Sequence, residues 1–333
     1  MPAVPATAGG ATITGWGTAL PDRVVTNREL ESTIDTSDAW IVERTGISER
    51  RVGGTTADLS AEAGRRALEM AGLAPADVDA LVLATTTPDR TVPATSATVQ
   101  HRLGLQCGAF DVNAACSGWV YGLVTAHGLI ALGLERVLLI GTDTLARITD
   151  WDDRNTAVLF ADGSGATVIE AVDPPGSLLS WHLDADGSAE EFLYCDVGGT
   201  LQMEGREVFR RAVRIMVDSA TTSMRAAGVA ADDIALVVPH QANIRIISAA
   251  CDRLGIGLDR AAIVLDRTGN TSSASIPLAL ADALDHDRVA DGDLVLFVGF
   301  GAGMTAASAV FRWNTSHGLV AGRTGQSGGL TDE

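Results

Sequence analysis

The chain has 333 residues, 46% of them hydrophobic, and a formal net charge of −18. A chain this long can bury the core of two domains or of one duplicated domain, and its negative charge argues against a nucleic acid partner. No apolar run reaches the ~18 residues that a membrane span needs, and residues 1–10 lack the pattern of a signal peptide, so we expect a cytoplasmic protein.

Apolar runs typical of buried strands alternate with helical segments along the chain. Helices are predicted at 59–72 and 208–228, where apolar residues recur every third or fourth position and a glycine follows the last turn. This alternation predicts an α/β fold with largely buried sheets. The predicted strands are 80–86, 136–142, 235–240 and 293–301.

An internal repeat aligns MAGLAPADVDALVLATT (70–86) with AAGVAADDIALVVPHQA (226–242). In both copies a helix ends at a glycine, Gly72 or Gly228, and a short turn with Asp leads into an apolar strand. A common helix-to-strand connection also gives such a match. The alternative is a duplicated chain with its seam near the DPPG turn at 173–176.

A duplicated chain predicts two halves, followed here by a C-terminal segment. The N-terminal half, 1–172, would carry a nucleophilic cysteine, and the C-terminal half, 173–313, would carry a histidine and an asparagine. The last segment, 314–333, is rich in Gly, Ser and Thr and weakly patterned, which predicts a flexible extension.

Cys116 lies between the strand-like AFDVNAA and the helix-like GWVYGLVTAHGLIALG. Its thiol is therefore expected at a helix N-terminus, where unpaired N–H groups and the helix dipole lower the pKa below its usual ~8.5. The alternative role is that of a buried small hydrophobe. The chain has no CxxC pair and no zinc-binding pattern, so we expect free thiols and no metal site. The other cysteines are Cys107, Cys195 and Cys251.

His240 follows an apolar strand in VVPHQANIRII, and Asn270 stands in the small-residue loop DRTGNTSSASIP before a helix. Alone, His240 fits a capping role and Asn270 fits a turn. With Cys116 they supply a nucleophile, a group that handles protons and an amide donor. Strand ends are where α/β folds place their chemistry, but the sequence alone does not bring the three residues together.

Six motifs in order between residues 11 and 313 resemble the β-ketoacyl-acyl-carrier-protein synthase III family of thiolase-fold condensing enzymes. They are TSDAWIVERTGISERR, ACSG, FADGSGA, PHQAN, GNTSSASIPLAL and GFGAGMT. The resemblance implies two βαβαβαββ halves in a five-layer αβαβα arrangement, and a homodimer. It also implies the condensation of an acyl-CoA primer with malonyl-acyl-carrier protein (malonyl-ACP), which starts fatty acid synthesis without a metal or organic cofactor.

The resemblance also assigns roles to residues. Cys116 would take the acyl group, while His240 and Asn270 would hydrogen-bond the malonyl thioester oxygen as CO2 leaves. The backbone N–H groups of Cys116 and Ala302 would form a second oxyanion hole. The remaining positions are Trp40, Arg44, Arg154 and Asn243 for CoA, Phe300 and the neighbouring subunit's Val92 for the acyl pocket, and Arg245, Arg210, Arg211, Arg214 and Arg253 for docking of the carrier protein.

Each of these arginines could instead belong to a solvated helix face. The chain also departs from the family pattern: the segment 188–203 is short, Arg206 replaces a common Asn, Met304 replaces a common aromatic, and Trp119 replaces a smaller ring. In the family, the segment equivalent to 188–203 helps to form the wall of the acyl pocket. Its shortness here therefore leaves the length of the acyl primer undetermined.

Other functions are weighed against this one. An acyltransferase without condensation would not need Asn270, and a condensing enzyme of polyketide or secondary metabolism stays open as an alternative. A degradative thiolase would carry a second cysteine in GFGAGMT, and an elongating synthase a second histidine at position 270. A non-enzymatic subunit would not retain Cys116.

Overall fold

The computed structural model describes residues 9–314. The expected extension, 314–333, therefore lies outside the described residues except for Asn314. The strands are β1 Gly10–Ala19, β2 Val24–Thr26, β3 Glu49–Arg51, β4 Ala80–Ala84, β5 Gly108–Val112, β6 Arg136–Thr144, β7 Asp162–Val172, β8 Leu178–Ala185, β9 Leu193–Tyr194, β10 Gln202–Met203, β11 Ile234–Pro239, β12 Leu294–Gly301 and β13 Thr305–Arg312. The α-helices are α1 Asn27–Glu31, α2 Asp38–Thr45, α3 Thr56–Ala71, α4 Thr95–Leu103, α5 Gly118–Ala131, α6 Arg154–Ala157, α7 Gly205–Ala227, α8 Ile244–Leu254, α9 Leu265–Thr268 and α10 Ser275–Asp285.

Two larger sheets share one strand order. The first runs β1-β7-β6-β4-β5, with β4 parallel to β5 and β6, and β7 antiparallel to β6 and β1. The second runs β8-β13-β12-β11, with β11 parallel to β12 and β13 antiparallel to both neighbours. In the place that corresponds to β5, the second sheet has only an isolated bridge between Val237 and Ala261. The two halves are therefore copies of one topology, and the third strand of the second copy is reduced to a bridge.

The helices complete five layers, as predicted. Helices α5 and α10 contact both sheets and form the middle layer, while α3 with α4 and α7 with α8 cover the outer faces. The middle-layer helices are largely apolar because each packs against both sheets. Within this layer, the Trp119 ring of α5 packs edge-on against Phe297 of β12, with ring centroids 5.2 Å apart.

The two copies of the sequence repeat have the same local structure. Gly72 and Gly228 end α3 and α7 with left-handed φ values of 69° and 70°, a conformation that glycine adopts without strain. Asp77 and Asp233 each accept the backbone N–H three residues earlier, at 2.7 and 2.8 Å. The division of the chain at residues 172 and 173 stays a prediction.

Two expectations about the surface and the thiols can be compared with residues 9–314. None of the helices in this range has both the length and the hydropathy that a membrane crossing requires. The four cysteines are free thiols, as predicted.

Candidate active site

One cavity of about 760 Å³ is lined by Cys116, His240 and Asn270 together. The three residues come from separate elements: the turn before α5, the end of β11 and the loop before α10. The fold thus brings together the three side chains that the sequence singled out, with the thiol supplied by one half and the two nitrogen-bearing groups by the other.

Cys116 lies in a single helical turn, Ala115–Ser117, that leads directly into α5. Ala115 has a left-handed φ of 48°, which is strained for a residue with a side chain. The end of β12 packs against this turn, since a Cβ added to Gly301 would lie 2.7 Å from the Cys116 backbone nitrogen. Only a glycine at 301 allows the two segments to approach this closely.

Burial dominates the electrostatics of the Cys116 thiol. It raises the pKa of Cys116 to about 12, because the thiolate would lose its hydration; the Ser272 side chain lowers this pKa and the Asp143 carboxylate raises it further. The expectation of a pKa lowered by the helix N-terminus is therefore wrong. At neutral pH the resting group is a thiol, and its proton must leave when the sulfur attacks.

The His240 imidazole is buried and neutral. Burial lowers the pKa of His240 to about 3, because the charged ring would be desolvated. The backbone N–H donates to the Val298 carbonyl at 2.8 Å, and the ring lies edge-on to Phe300 with centroids 5.5 Å apart. Its Nδ1 is 2.7 Å from the hydroxyl oxygen of Ser275. A neutral ring has one nitrogen that donates and one that accepts.

Asn270 is held so that its amide nitrogen remains available. Its backbone N–H donates to the Leu159 carbonyl and its carbonyl accepts the Ala161 N–H, both at 2.9 Å. The side-chain Oδ1 accepts the backbone N–H of Ser272 at 3.0 Å. Within the described part of the chain, Nδ2 has no hydrogen-bond partner, so the cavity receives a donor from this side chain.

Asp143 is a buried residue that the sequence reasoning missed. Its Oδ1 accepts hydrogen bonds from a threonine run, Thr85–Thr87, through backbone and hydroxyl groups at 2.8 to 3.1 Å. Its Oδ2 accepts the backbone N–H of Ser273 at 3.0 Å and lies 2.7 Å from the Ser273 hydroxyl. The carboxylate therefore ties the first half to the turn that follows Asn270. Asp143 and Ser273 are 130 positions apart, and no local pattern indicates such a pair.

The predicted CoA residues line the more exposed end of the same cavity, its mouth, where Arg44 and Arg154 are exposed. The guanidinium carbons of Arg44 and Arg154 lie 5.6 and 4.7 Å from the Trp40 ring centroid, within the range of a cation–π contact. Asn243 caps α8 through its Oδ1, and its Nδ2 donates to the Arg44 carbonyl at 2.8 Å. This mouth combines a flat aromatic ring with positive charge.

The predicted docking arginines lie on two helices: Arg245 and Arg253 on α8, and the other three on α7. Arg245 lines the cavity mouth and lies over Phe209 at 5.5 Å, and Arg206 lines the same mouth. Arg253 is in the last turn of α8, roughly 12 Å further along the helix axis than Arg245 at ~1.5 Å per residue.

Two of the three predicted docking arginines on α7, Arg210 and Arg211, already lie close to carboxylates. Arg210 pairs with Glu207 at 2.5 Å, and Arg211 lies 3.9 Å from both Glu207 and Asp186. Hydrogen bonds from the Ser188 side chain lower the pKa of Asp186, and the charges of Arg211 and Arg214 lower it further. The net positive charge on this face is therefore smaller than the count of arginines indicates.

Three candidates remain, Phe300, Ala302 and Val92, and the structure places them differently. Phe300 is buried and lines the main cavity. Ala302 lines a smaller opening of about 360 Å³ that it shares with Ala115. Val92 is 81% exposed and does not line either opening, so in one copy of the chain it lies outside the site. The roles of these three residues stay predictions.

No group of three or more His, Cys, Asp or Glu side chains within residues 9–314 is placed to hold a metal ion. That the reaction needs no cofactor stays a prediction.

A thiol and two nitrogen-bearing side chains on one cavity, between two copies of one α/β topology, define the class of thiolase-fold condensing enzymes. The family model described as 3-oxoacyl-[acyl-carrier-protein (ACP)] synthase III matches residues 110–187, and the model of its C-terminal part matches residues 224–313. A β-ketoacyl-[acyl-carrier-protein] synthase III of Roseiflexus castenholzii is 49% identical over 324 residues, covering 91% of this chain and 98% of the relative.

Solved structures agree with the sequence relatives. The 3-oxoacyl-[acyl-carrier-protein] synthase III of Aquifex aeolicus VF5 superposes with a TM-score of 0.90 at 41% identity, covering 91% of this chain and 100% of the other. The priming β-ketosynthase of the R1128 polyketide pathway superposes with a TM-score of 0.88 at 35% identity, covering 92% and 97%. The chain belongs to the β-ketoacyl-acyl-carrier-protein synthase III family of fatty-acid condensing enzymes, and it is an acyltransferase. The family and fold predictions are confirmed.

Proposed function

We propose that this protein joins an acyl-CoA primer to malonyl-ACP in a decarboxylating Claisen condensation, the reaction that starts fatty acid synthesis. The observation that carries the proposal is the cavity itself. Cys116, His240 and Asn270 line its inner part, and Trp40 with its flanking arginines lines its mouth. Membership of the synthase III family supports the same reaction.

The first step is acyl transfer to Cys116. The sulfur attacks the thioester carbon of the primer, a new Sγ–C bond forms, and the C–S bond to CoA breaks. Because burial raises the pKa of Cys116 to about 12, the attacking group starts as a thiol, and its proton leaves on the departing CoA sulfur. The product is an acyl-cysteine and free CoA.

The second step is loss of CO2 from the malonyl group. The C–C bond to the carboxylate breaks, and its electron pair forms an enolate whose charge develops on the thioester oxygen. The Nδ2–H of Asn270 and a ring N–H of His240 donate to that oxygen. Since burial lowers the pKa of His240 to about 3, the ring acts as a neutral donor. Preset donors of this kind stabilise developing charge strongly, and losing one typically costs about 3–4 kcal/mol.

The third step forms the new carbon–carbon bond. The enolate carbon attacks the acyl carbon on Cys116, and the tetrahedral oxygen takes hydrogen bonds from the backbone N–H groups of Cys116 and Ala302. The C–S bond then breaks, the sulfur takes up a proton from solvent to replace the one that left with CoA, and the 3-oxoacyl chain leaves on the carrier protein. The close approach of Gly301 to the Cys116 nitrogen supports this second oxyanion hole.

The mouth of the cavity fits both substrates. A flat indole such as Trp40 can stack on an adenine ring, and the guanidinium groups of Arg44 and Arg154 can pair with phosphates. Asn243 would contact the flexible arm of the substrate, which carries the thioester from the cavity mouth to Cys116. Carrier proteins are acidic, and Arg245 is positioned to meet one at the cavity mouth.

The direct test is to incubate the protein with an acyl-CoA primer and malonyl-ACP and to follow CO2 and product together. We expect one CO2 and one 3-oxoacyl-ACP per turnover. Transfer of the acyl group to an alcohol or amine without CO2 release would replace this function by simple acyl transfer.

Docking of the carrier protein can be tested by Arg245→Glu. The reversed charge should raise the KM for malonyl-ACP about tenfold or more, because it repels an acidic partner at the mouth, and should change the KM for the acyl-CoA less. Arg225→Glu makes the same charge change at an exposed arginine in the last turn of α7 that carries no docking assignment, and it serves as the control. Equal losses for both substrates, or for both variants, would contradict a docking role for Arg245.

Priming of polyketide synthesis is a second candidate function. The similarity to the R1128 priming ketosynthase favours it, whereas the higher identity to the Roseiflexus synthase III favours fatty acid synthesis. A panel of acyl-CoA primers of increasing length separates the two: a strong preference for a primer other than a short fatty acyl group would support the polyketide role.

We also propose that the protein is a cytoplasmic homodimer. Strand β5 lies at the end of the five-stranded sheet, and its Phe110 is 38% exposed. An open, partly apolar sheet edge is a natural place for a second copy to pair, and it would bring the partner's exposed Val92 close to the site. Light scattering of the purified protein should give the mass of two chains.

A further inference from the structure

The hydroxyl of Ser275 is the one protein group that hydrogen-bonds the His240 ring within the described part of the chain. Ser275 begins α10 and is completely buried. Its Oγ lies 2.7 Å from Nδ1 of His240, while Nε2 has no hydrogen-bond partner among residues 9–314. Of the two ring nitrogens, only Nδ1 therefore hydrogen-bonds a group of the described chain.

The direction of this hydrogen bond follows from the other partner of Ser275. The backbone N–H of Gln241 donates to the same Oγ at 3.3 Å, and a backbone amide can act only as a donor. A hydroxyl has one proton to give, and His240 Nδ1 is the acceptor in reach. If Nδ1 carried the ring proton instead, the hydroxyl proton of the completely buried Ser275 would have no acceptor, which is unfavourable.

The Gln241 peptide is itself fixed in place. Its side-chain Nε2 donates to the carbonyls of Pro239 and Ala262 at 2.7 and 3.0 Å. Its Oε1 accepts the backbone N–H groups of Val264 and Leu265 at 3.0 and 3.3 Å. Because both polar atoms of the side chain are hydrogen-bonded, the Gln241 backbone N–H stays oriented toward the Ser275 hydroxyl.

We propose that Ser275 is a positioning residue that keeps the ring proton of His240 on Nε2. The ring then presents a donor, and not a lone pair, to the cavity, which is what the developing enolate oxygen requires. The opposite tautomer would point an unprotonated nitrogen at that oxygen and repel it. The inference rests on the proposed function, in which His240 donates to the malonyl thioester.

The first test needs no substrate. In protein with ¹⁵N-labelled histidine, the protonated and unprotonated ring nitrogens give distinct NMR signals, and loss of one signal set in His240→Gln assigns His240. The expected wild-type pattern has the proton on Nε2 and none on Nδ1. A wild-type ring with its proton on Nδ1 overturns the proposal, whether or not malonyl-ACP is decarboxylated.

The second test uses Ser275→Ala with Ser275→Thr, which keeps the hydroxyl. In Ser275→Ala we expect the Nδ1–H form to appear in the NMR spectrum and kcat for malonyl-ACP decarboxylation to fall roughly tenfold to a hundredfold. The KM and the rate of Cys116 acylation should stay within about threefold. Ser275→Thr should restore the Nε2–H form and most of the kcat.

Ser180→Ala is the matched control, because it also removes a completely buried serine hydroxyl, one that donates to the Ser223 carbonyl away from the cavity. It should leave both the tautomer and kcat unchanged. Loss of decarboxylation in Ser275→Ala with an unchanged Nε2–H signal would overturn the proposal. If wild-type protein releases no CO2 from malonyl-ACP, the proposed function fails, and the tautomer result still stands on its own.

Discussion

The turn that carries Cys116 and the turn that carries Ser273 occupy equivalent places in the two halves. Each is a short helical turn that leads into a middle-layer helix, α5 or α10. Each begins with a left-handed residue, Ala115 at a φ of 48° and Ser272 at a φ of 52°. The Cys116 side chain lines the cavity, whereas the Ser273 hydroxyl lies 2.7 Å from the Asp143 carboxylate.

The two turns share a backbone conformation but differ in the role of the side chain. Both turns store the same kind of backbone strain, on the order of 1–3 kcal/mol per left-handed residue, and both are held by close contacts with the rest of the molecule. What differs is whether the side chain faces the cavity, as that of Cys116 does, or binds a buried carboxylate, as that of Ser273 does. A change at Cys116 should therefore affect chemistry, and a change around Ser273 should affect stability.

The largest effect is expected from Cys116→Ala. Without the sulfur no acyl-enzyme can form, so intact-mass spectrometry after incubation with an acyl-CoA should show no added acyl mass. Ser273→Ala changes the equivalent position in the other turn and should still become acylated. Acylation of Cys116→Ala would show that the nucleophile has been assigned to the wrong residue.

Asn270→Ala should separate the two chemical steps. Cys116 acylation should persist, because the amide does not touch the thiol reaction in the proposed mechanism. The condensation rate should fall about 10²–10³-fold, the usual cost of one oxyanion donor. Rapid-quench measurement of both steps is the check; equal losses in acylation and condensation would place Asn270 outside the decarboxylation step.

Asp143→Asn should weaken the link between the halves. One carboxylate oxygen that accepts from Ser273 is replaced by an NH2 group facing a backbone N–H, so a buried donor loses its acceptor. We expect the free energy of unfolding to fall by about 2–4 kcal/mol, measured by urea denaturation. Asp232→Asn, at an exposed position, should change it by less than about 0.5 kcal/mol. Similar values for both variants would argue against the link.

The last prediction concerns the pH dependence of thiol alkylation in the unchanged protein. Burial raises the pKa of Cys116 to about 12, and only the thiolate reacts. The rate with iodoacetamide should therefore keep rising about tenfold per pH unit from pH 7 to pH 10. The Cys116→Ala protein corrects for the other three thiols. A plateau below pH 8 would mean that the helix N-terminus outweighs burial.

Local patterns predicted much of the fold. Gly72 and Gly228 could be assigned as helix ends because a glycine after an apolar helical period is a short-range signal. The position of Cys116 between a strand and a helix is also indicated by neighbouring residues alone. The reduction of the third strand in the second half was not predicted, since a single bridge between Val237 and Ala261 leaves no recognisable strand pattern.

The site was predicted only in part, because its supporting contacts are distant in sequence. His240 and Ser275 are 35 positions apart, and Asp143 and Ser273 are 130 apart. The pKa of Cys116 was expected in the wrong direction for a related reason. A helix N-terminus can be read from neighbouring residues, whereas the burial that outweighs it depends on segments supplied by the other half.

The shared Asp143 carboxylate has a consequence for how relatives of this protein can diverge. Its Oδ1 accepts from Thr85–Thr87 in the first half, and its Oδ2 accepts from Ser273 in the second. A substitution in one half therefore removes a hydrogen bond that the other half needs. Positions 143 and 273 should covary among homologues. A chimaera that exchanges halves between β7 and β8 should fold well only when both parents carry compatible residues at these two positions.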